Sequence, residues 1–269
     1  MIPNVLSIAG SDPSGGAGIQ ADLKAIAANG GYAMAAITAL TAQNTQGVTG
    51  VETVAPAFVA AQIDAVFDDI RVDAVKIGMI ATAGIAEAVA TALIRNGARN
   101  VVLDPVMVAK GGHRLLTDDT VGALRDRLLP LADIVTPNLP EAAALLDEPE
   151  AVAAAEMEAQ ARRLRHLGSR AALLKGGHLT GAQSPDCLAD QAGEIHWLDA
   201  PRTKTRNTHG TGCTLSAALA TRLAGGCDAP AAARAAKDYV SGAISAADRL
   251  EVGRGHGPVH HFHKLWRNS

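Results

Sequence analysis

A cysteine opens a run of helix formers in Asn207-Thr208-His209-Gly210-Thr211-Gly212-Cys213-Thr214-Leu215-Ser216-Ala217-Ala218. The two glycines let the backbone turn tightly and approach a ligand closely. The helix that follows directs its free N–H groups, and the positive end of its dipole, at whatever sits before it. Such a loop is an anion hole, and phosphate is its commonest guest. A thiol at a helix N-terminus has a lowered pKa. Gly210, Thr211, Gly212 and Cys213 are therefore read as a phosphoryl-transfer site, with Cys213 as the base that takes a hydroxyl proton. The competing reading is a glycine-rich turn with a small buried cysteine filling space.

Other segments offer partners for that chemistry. Asn138-Leu139-Pro140-Glu141 places an amide and a carboxylate in the first turn of a helix. Both are hard oxygen donors suited to Mg²⁺, which binds through one or two protein groups, waters and phosphates. The same four residues also spell a capping box. Asp104 on a neighbouring loop tips the reading towards the metal. Lys175 ends an apolar run at Lys175-Gly176-Gly177-His178. It would neutralise charge on a transferred phosphate, or else be a surface lysine with a snorkelling stem. Ser14-Gly15-Gly16-Ala17-Gly18-Ile19-Gln20-Ala21 contains a Gly-x-Gly-x-x-Ala, as dinucleotide folds do. The second strand, however, ends in Leu40-Thr41-Ala42-Gln43 with no acid to hold a ribose. A loop covering a small substrate, with Asp12 and Asp22 as polar contacts, is preferred. No Gly-Lys dipeptide occurs, so there is no Walker A loop. His260-His261-Phe262-His263 shares no spacing with a cysteine or carboxylate and is assigned to packing of the tail.

These residues need a scaffold, and the apolar pattern supplies one. Short apolar runs at 5–9, 33–40, 74–77, 100–103, 133–136 and 171–175 read as strands buried on both faces. Amphipathic stretches at 17–28, 56–69, 82–96, 118–129, 139–146, 151–167, 212–224 and 229–249 read as helices, and 187–198 as a later β-meander. The alternation predicts a doubly wound, mainly parallel sheet with right-handed crossovers. In such sheets ligands gather beyond the carboxyl ends of the strands. Gly10-Ser11-Asp12, Thr41–Asn44, Gly78-Met79, Asp104–Met107, Pro137–Glu141 and Gly176–His178 each follow a predicted strand, so they should line one edge.

The 269 residues suffice for one large α/β domain, taken here as 1–269. Apolar residues make up 48% and aromatics 3%, so Ala, Val, Leu and Ile must build the core. A net charge of −3, no basic stripe and only two Trp, two Tyr and three Phe argue against nucleic-acid binding. Three cysteines without a CxxC suggest reduced thiols in a cytoplasmic protein. No signal peptide and no uninterrupted apolar run of about 18 residues is seen, so no membrane association is expected.

Taken in order, the motifs resemble the hydroxymethylpyrimidine/phosphomethylpyrimidine kinases of thiamine biosynthesis, in the ribokinase-like superfamily. The resemblance rests on the strings at 9–22, 38–45, 76–79, 103–107, 136–142, 175–178 and 207–214. It implies a ribokinase-like three-layer α/β/α sandwich with a mainly parallel central sheet, usually a homodimer. It also implies ATP and Mg²⁺ as cofactors and two successive phosphorylations, of 4-amino-5-hydroxymethyl-2-methylpyrimidine and then of its monophosphate. Carried over by motif, Gln43 bonds the aminopyrimidine, and Asp22, Met79, Val106, Gly10 and Ala17 help enclose it. The hole at Gly210–Cys213, with Thr208 and Lys175, meets the ATP phosphates, while Asn138, Glu141 and Asp104 organise Mg²⁺. The wider superfamily usually has Asp where Cys213 stands, and the pyrimidine kinases are similar to this chain in using Cys. The rivals are a pyridoxal or pyridoxine kinase on the same fold, a Rossmann oxidoreductase using the Gly16–Ala21 loop, and a non-catalytic ligand sensor. The 14–18 segment and Lys110-Gly111-Gly112 are candidate lids by composition.

Overall fold

Alternation between short apolar strands and amphipathic helices does produce a layered α/β fold. The computed structural model describes residues 1–107 and 116–266, so the candidate lid at Lys110–Gly112 lies outside the described residues. The strands are β1 (Asn4–Ala9), β2 (Tyr32–Ile37), β3 (Ala39–Asn44), β4 (Gly47–Thr53), β5 (Ala74–Ile77), β6 (Val101–Leu103), β7 (Ile134–Val135), β8 (Ala171–Lys175), β9 (Asp186–Ala189) and β10 (Ile195–Leu198). The helices are α1 (Gly18–Ala28), α2 (Pro56–Asp69), α3 (Ala83–Arg95), α4 (Asp118–Ala123), α5 (Leu139–Leu146), α6 (Ala154–His166), α7 (Thr211–Ala224) and α8 (Ala229–Ser245).

Eight strands form one sheet in the order β10-β9-β8-β7-β6-β5-β1-β2. Pairing is parallel from β2 through β8 and antiparallel at β8–β9 and β9–β10. Successive residues of a strand point to opposite faces, and both faces are covered here. Leu6, Ile8, Val75, Ile77 and Leu103 pack with Val59, Ile63, Val89, Leu145 and Leu164 of α2, α3, α5 and α6. Their neighbours Val5, Ala74, Val102 and Leu173 pack with Ile26, Leu219 and Val240 of α1, α7 and α8. This double burial is why the strands read as unbroken apolar runs.

Three expectations are corrected. The run 33–40 is not one strand. The chain leaves the main sheet at Thr38, and β3 pairs with β4 as a separate two-stranded sheet with a register shift between Ala42 and Gln43. Thr38 fixes the departure, donating its N–H to the Ala9 carbonyl and its hydroxyl to the Met79 carbonyl. The helix expected at 118–129 keeps α-geometry only to Ala123, then passes through a π-turn and a short 3₁₀ turn at Leu129–Leu131, where Pro130 has no N–H to give. The last helix stops at Ser245, and 247–249 is a 3₁₀ turn. The histidine tail packs as expected. His261 Nε2 lies 3.0 Å from Thr214 Oγ1, His260 meets the Trp266 ring and His263 the Tyr239 ring.

Candidate active site

A cleft of about 1310 Å³ runs along the carboxyl edge of the parallel strands. That exceeds the several hundred Å³ of a single-ligand pocket and suits two ligands side by side. Gly10–Asp12, Met79, Asp104, Val106, Met107, Asn138, Pro140, Glu141, Lys175, Gly177 and His178 line it, so residues after each of these strands do converge on one edge. The strand order reverses at β1, where α1 leads to β2 on one side and the later strands continue on the other. A crevice at that point is what this topology creates.

One end of the cleft is dense in charge. Gly210 precedes α7 with φ +78°, and a Cβ there would stand 1.8 Å from the Gly16 carbonyl oxygen, so only glycine fits. No side chain caps α7, which leaves its N-terminus turned to the cleft. Thr211 braces the turn by donating its hydroxyl to the Thr208 carbonyl at 2.7 Å. A Cβ on Gly212 would lie 3.3 Å from Lys175 Nζ and 3.4 Å from Asp104 Oδ2, so the hole opens directly beside those two groups. Lys175 Nζ is 2.9 Å from Asp104 Oδ1 and 3.8 Å from Glu141 Oε2. Asp104 also accepts from Ser216 and Thr136 hydroxyls, each at 3.2 Å. Burial opposes the Asp104 charge, but Lys175 and Lys76 outweigh it and hold the carboxyl below its ordinary pKa. For Glu141 burial wins over Lys175 and moves the carboxyl up to about 7.

Asn138 and Glu141 do form the capping box. The Glu141 N–H donates to Asn138 Oδ1 at 2.9 Å, and the Asn138 N–H donates to Glu141 Oε2 at 2.8 Å. The cap and a cation site are compatible, since a carboxylate has more lone pairs than one N–H uses. Asp104 and Glu141 together give hard oxygen donors at the edge of an open cleft, a set that fits one Mg²⁺ completed by phosphate and water oxygens.

Cys213 lies between two helix ends. It sits in the first turn of α7, close to Gly18 at the start of α1, whose N–H favours the thiolate slightly. The expectation of an acidified thiol is nevertheless corrected. Burial raises Cys213 to about 11, and Asp22 and Asp104 counter the help that Lys76 gives. The helix-end rule holds for a thiol with no anions close by, whereas this one, half-buried in the cleft wall, has two carboxylates near it.

The other end of the cleft is nearly neutral. Met79 packs its methyl onto Gly10, where a Cβ would fall 2.2 Å from Met79 Cε. Ala17, Gln43 and Val106 complete this wall. Asp22, expected against the same ligand, is instead fully buried beneath it and does not line the cleft. It accepts from the Ser7 hydroxyl at 2.6 Å and from Lys76 Nζ at 2.8 and 2.9 Å. Burial opposes the Lys76 charge, but Asp22 outweighs it and holds the ammonium above its ordinary pKa. Removing one partner of such a pair costs about 3–5 kcal/mol.

Sequence reasoning missed three groups here. Lys76 was hidden inside an apolar strand. His209 reaches Asp12, with Nε2 2.7 Å from Oδ2 across 197 residues of chain. Lys237 of α8 bonds Asp186 at 2.8 Å and the Ser184 carbonyl at 2.7 Å at the far end of the cleft. None is marked by local spacing, because each pairs residues distant in sequence.

Comparison with known proteins follows the same outline. Residues 12–260 match the family model for phosphomethylpyrimidine kinase. The chain is 56% identical over 263 residues to the hydroxymethylpyrimidine/phosphomethylpyrimidine kinase of Salmonella typhimurium, covering 98% of each. It is 52% identical to a thiamine biosynthesis bifunctional protein of Geobacter sulfurreducens, over 96% of this chain and 52% of that one. Its fold is similar to the pyridoxal kinase of Staphylococcus aureus in complex with AMP-PCP and pyridoxal, with a TM-score of 0.89, 30% identity, and 98% and 95% of the two chains covered. With its motifs, sheet and cleft all in agreement, this chain belongs to the phosphomethylpyrimidine kinase family.

Proposed function

We propose that this chain, as one kinase domain, transfers the ATP γ-phosphate to the hydroxymethyl group of 4-amino-5-hydroxymethyl-2-methylpyrimidine, and then a second phosphate to the monophosphate, in thiamine biosynthesis. The observation that carries this reading is the opposition of the two cleft ends. Lys175, Asp104, Glu141 and the α7 N-terminus face a neutral pocket of Gly10, Met79, Val106, Ala17 and Gln43.

Phosphoryl transfer through a loose transition state asks mainly for alignment and charge stabilisation. The N–H groups at Gly210–Cys213 and the Lys175 ammonium hold charge on the moving phosphoryl group, and the Thr208–Thr211 turn keeps the hole in shape. Gln43 orients the heterocycle, and Met79 stacks against it on Gly10. Asp104 and Glu141, with Asn138 fixing the latter, would hold a Mg²⁺ ion, which would supply charge neutralisation to the phosphates. Cys213 accepts the hydroxyl proton as thiolate. A thiol near 11 is mostly protonated at neutral pH, so this assistance grows with pH.

The protein is further proposed to work as a cytoplasmic homodimer. Three free cysteines, one fully buried at Cys187, fit a reducing compartment. Leu40, Val51 and Phe58 are exposed on and beside the β3–β4 sheet and would be covered by a second copy. No described helix is long and apolar enough to cross a membrane.

The test is incubation with Mg-ATP and the hydroxymethylpyrimidine, with pyridoxal in parallel, followed by mass. One and then two added phosphates on the pyrimidine is the expected result. Phosphate on pyridoxal alone would keep the mechanism and replace the substrate.

A further inference from the structure

The tail beyond α8 reads Gly253-Arg254-Gly255-His256-Gly257-Pro258-Val259-His260-His261. None of these residues lines the cleft. The tail nevertheless crosses two of the loops that form it. It first meets the tip of the β3–β4 hairpin, where the Gly255 N–H donates to Thr45 Oγ1 at 3.1 Å and the His256 N–H to the Thr45 carbonyl at 2.9 Å. It then meets the loop that leads into α7. The Gly257 N–H donates to Asn207 Oδ1 at 3.1 Å, the His209 N–H donates to the Gly257 carbonyl at 3.0 Å, and the Val259 N–H donates to the His209 carbonyl at 3.3 Å. The far end is tied down in turn, since the His261 carbonyl accepts the Tyr239 hydroxyl of α8 at 2.8 Å.

Both crossings are at backbone distance. A Cβ on Gly255 would stand 2.0 Å from the Thr45 carbonyl oxygen, and one on Gly257 would stand 2.4 Å from Asn207 Oδ1, too close for any side chain. The linkage continues past the tail. His209 Nε2 lies 2.7 Å from Asp12 Oδ2, and Asp12 in turn accepts the N–H groups of Ser14 and Ala17. Hairpin, phosphoryl hole and glycine-rich loop are thereby joined through one segment. The hairpin needs such a tie. It stands outside the main sheet as a pair of strands, and two strands alone are marginally stable. Its base is held where the Thr41 hydroxyl donates to the Ser11 carbonyl at 2.9 Å, and its tip is held by the tail.

We infer that the segment Gly253–His261 is a positioning strap, with Thr45, Gly255 and Gly257 as positioning residues that hold the hairpin in register with the hole at Gly210–Cys213 without touching either ligand. The inference rests on the proposed reaction for where the ligands sit. Thr41 and Gln43 of the hairpin line the same cleft as Gly210–Cys213. Acceptor and phosphoryl group are therefore held by separate elements, and their separation is set by whatever joins those elements. A misplacement of about 1 Å between reacting groups costs about 10²-fold in rate.

The experiment compares Thr45→Val, Thr45→Ser and Gly257→Ala with the unaltered enzyme at one protein concentration, by amide hydrogen exchange and by steady-state kinetics. Thr45→Val keeps the side-chain shape and removes the acceptor for Gly255. It should speed exchange in residues 39–53 roughly tenfold with α2 and α3 unchanged, and lower kcat/KM for the pyrimidine by a similar factor while KM for ATP holds. Thr45→Ser keeps the hydroxyl and should behave as the unaltered enzyme. Gly257→Ala must push the strap off Asn207, so it should speed exchange in both 39–53 and 207–212 and lower kcat/KM by about 10²-fold. Should Gly257→Ala fail to fold, the two Thr45 variants decide alone. Exchange in 39–53 that stays unchanged in Thr45→Val, or that rises only as much as in α2 and α3, would make the tail packing alone and overturn the inference. No phosphate on the pyrimidine from the unaltered enzyme would overturn the substrate reading instead, and exchange in 39–53 would still decide the strap.

Discussion

The two ends of the cleft stand on the same sheet edge and are built on opposite principles. Around Lys175 the protein gathers Asp104, Glu141 and an uncapped helix terminus, and leaves their charges only partly balanced. Around Gln43 it gathers small or apolar groups and keeps its charges buried and bonded, Asp22 to Lys76 and Asp12 to His209. On the proposed reading the first end would stabilise any phosphoryl group and the second would distinguish one ring from another. Specificity would then sit where net charge is lowest, because a few neutral hydrogen bonds discriminate by their order, whereas a strong field attracts every anion alike.

Changes at the charged end should act on kcat and changes at the neutral end on KM, and the largest expected effect comes first. Cys213→Ala should lower kcat by about 10²–10⁴-fold with ATP binding retained, as measured by calorimetry. In the unaltered enzyme kcat should climb with pH from neutrality towards about 11 as the raised thiol ionises, and the variant should lose that slope. A flat profile in both would leave Cys213 a packing residue. Lys175→Met should lower kcat by roughly 10²–10³-fold through lost transition-state charge stabilisation, with little change in KM for the pyrimidine. An equal loss in pyrimidine binding would erase the distinction between the two ends. Gln43→Ala should raise pyrimidine KM by a factor equivalent to about 1–3 kcal/mol, with kcat nearly unchanged in steady-state kinetics. The smallest effect lies outside the cleft. Burial holds His261 neutral in the fold, down to about pH 3, while the unfolded chain protonates near its ordinary 6.5. Stability from this group is complete above about 6.5 and falls as pH drops below it. Thermal melting between pH 7 and 5 should show that slope, and His261→Phe should flatten it.

Local spacing carried much of this protein. β5, β8, α2 and α5 lie where their apolar runs and end signals put them, because a strand buried on both faces and a helix with a capping box are written in consecutive residues. The β3–β4 hairpin was not legible. Its turn at Thr45-Gln46 lacks a glycine or proline signal at its centre, and its strands are half exposed, so no apolar run announces them. Lys76 was read past for the opposite reason: a lysine in an apolar strand looks like an interruption until Asp22 of α1 is brought to 2.8 Å from it.

Consecutive residues specified the layered sheet, the edge where the motifs gather, and the glycine-lined helix start at that edge, since each depends on neighbours in the chain. The electrostatics came from the folded arrangement. Whether Cys213 is acidic and whether Asp22 touches the cleft both depend on groups drawn from different elements. Burial and the sum of nearby charges, not the identity of the flanking residues, fix where a proton resides.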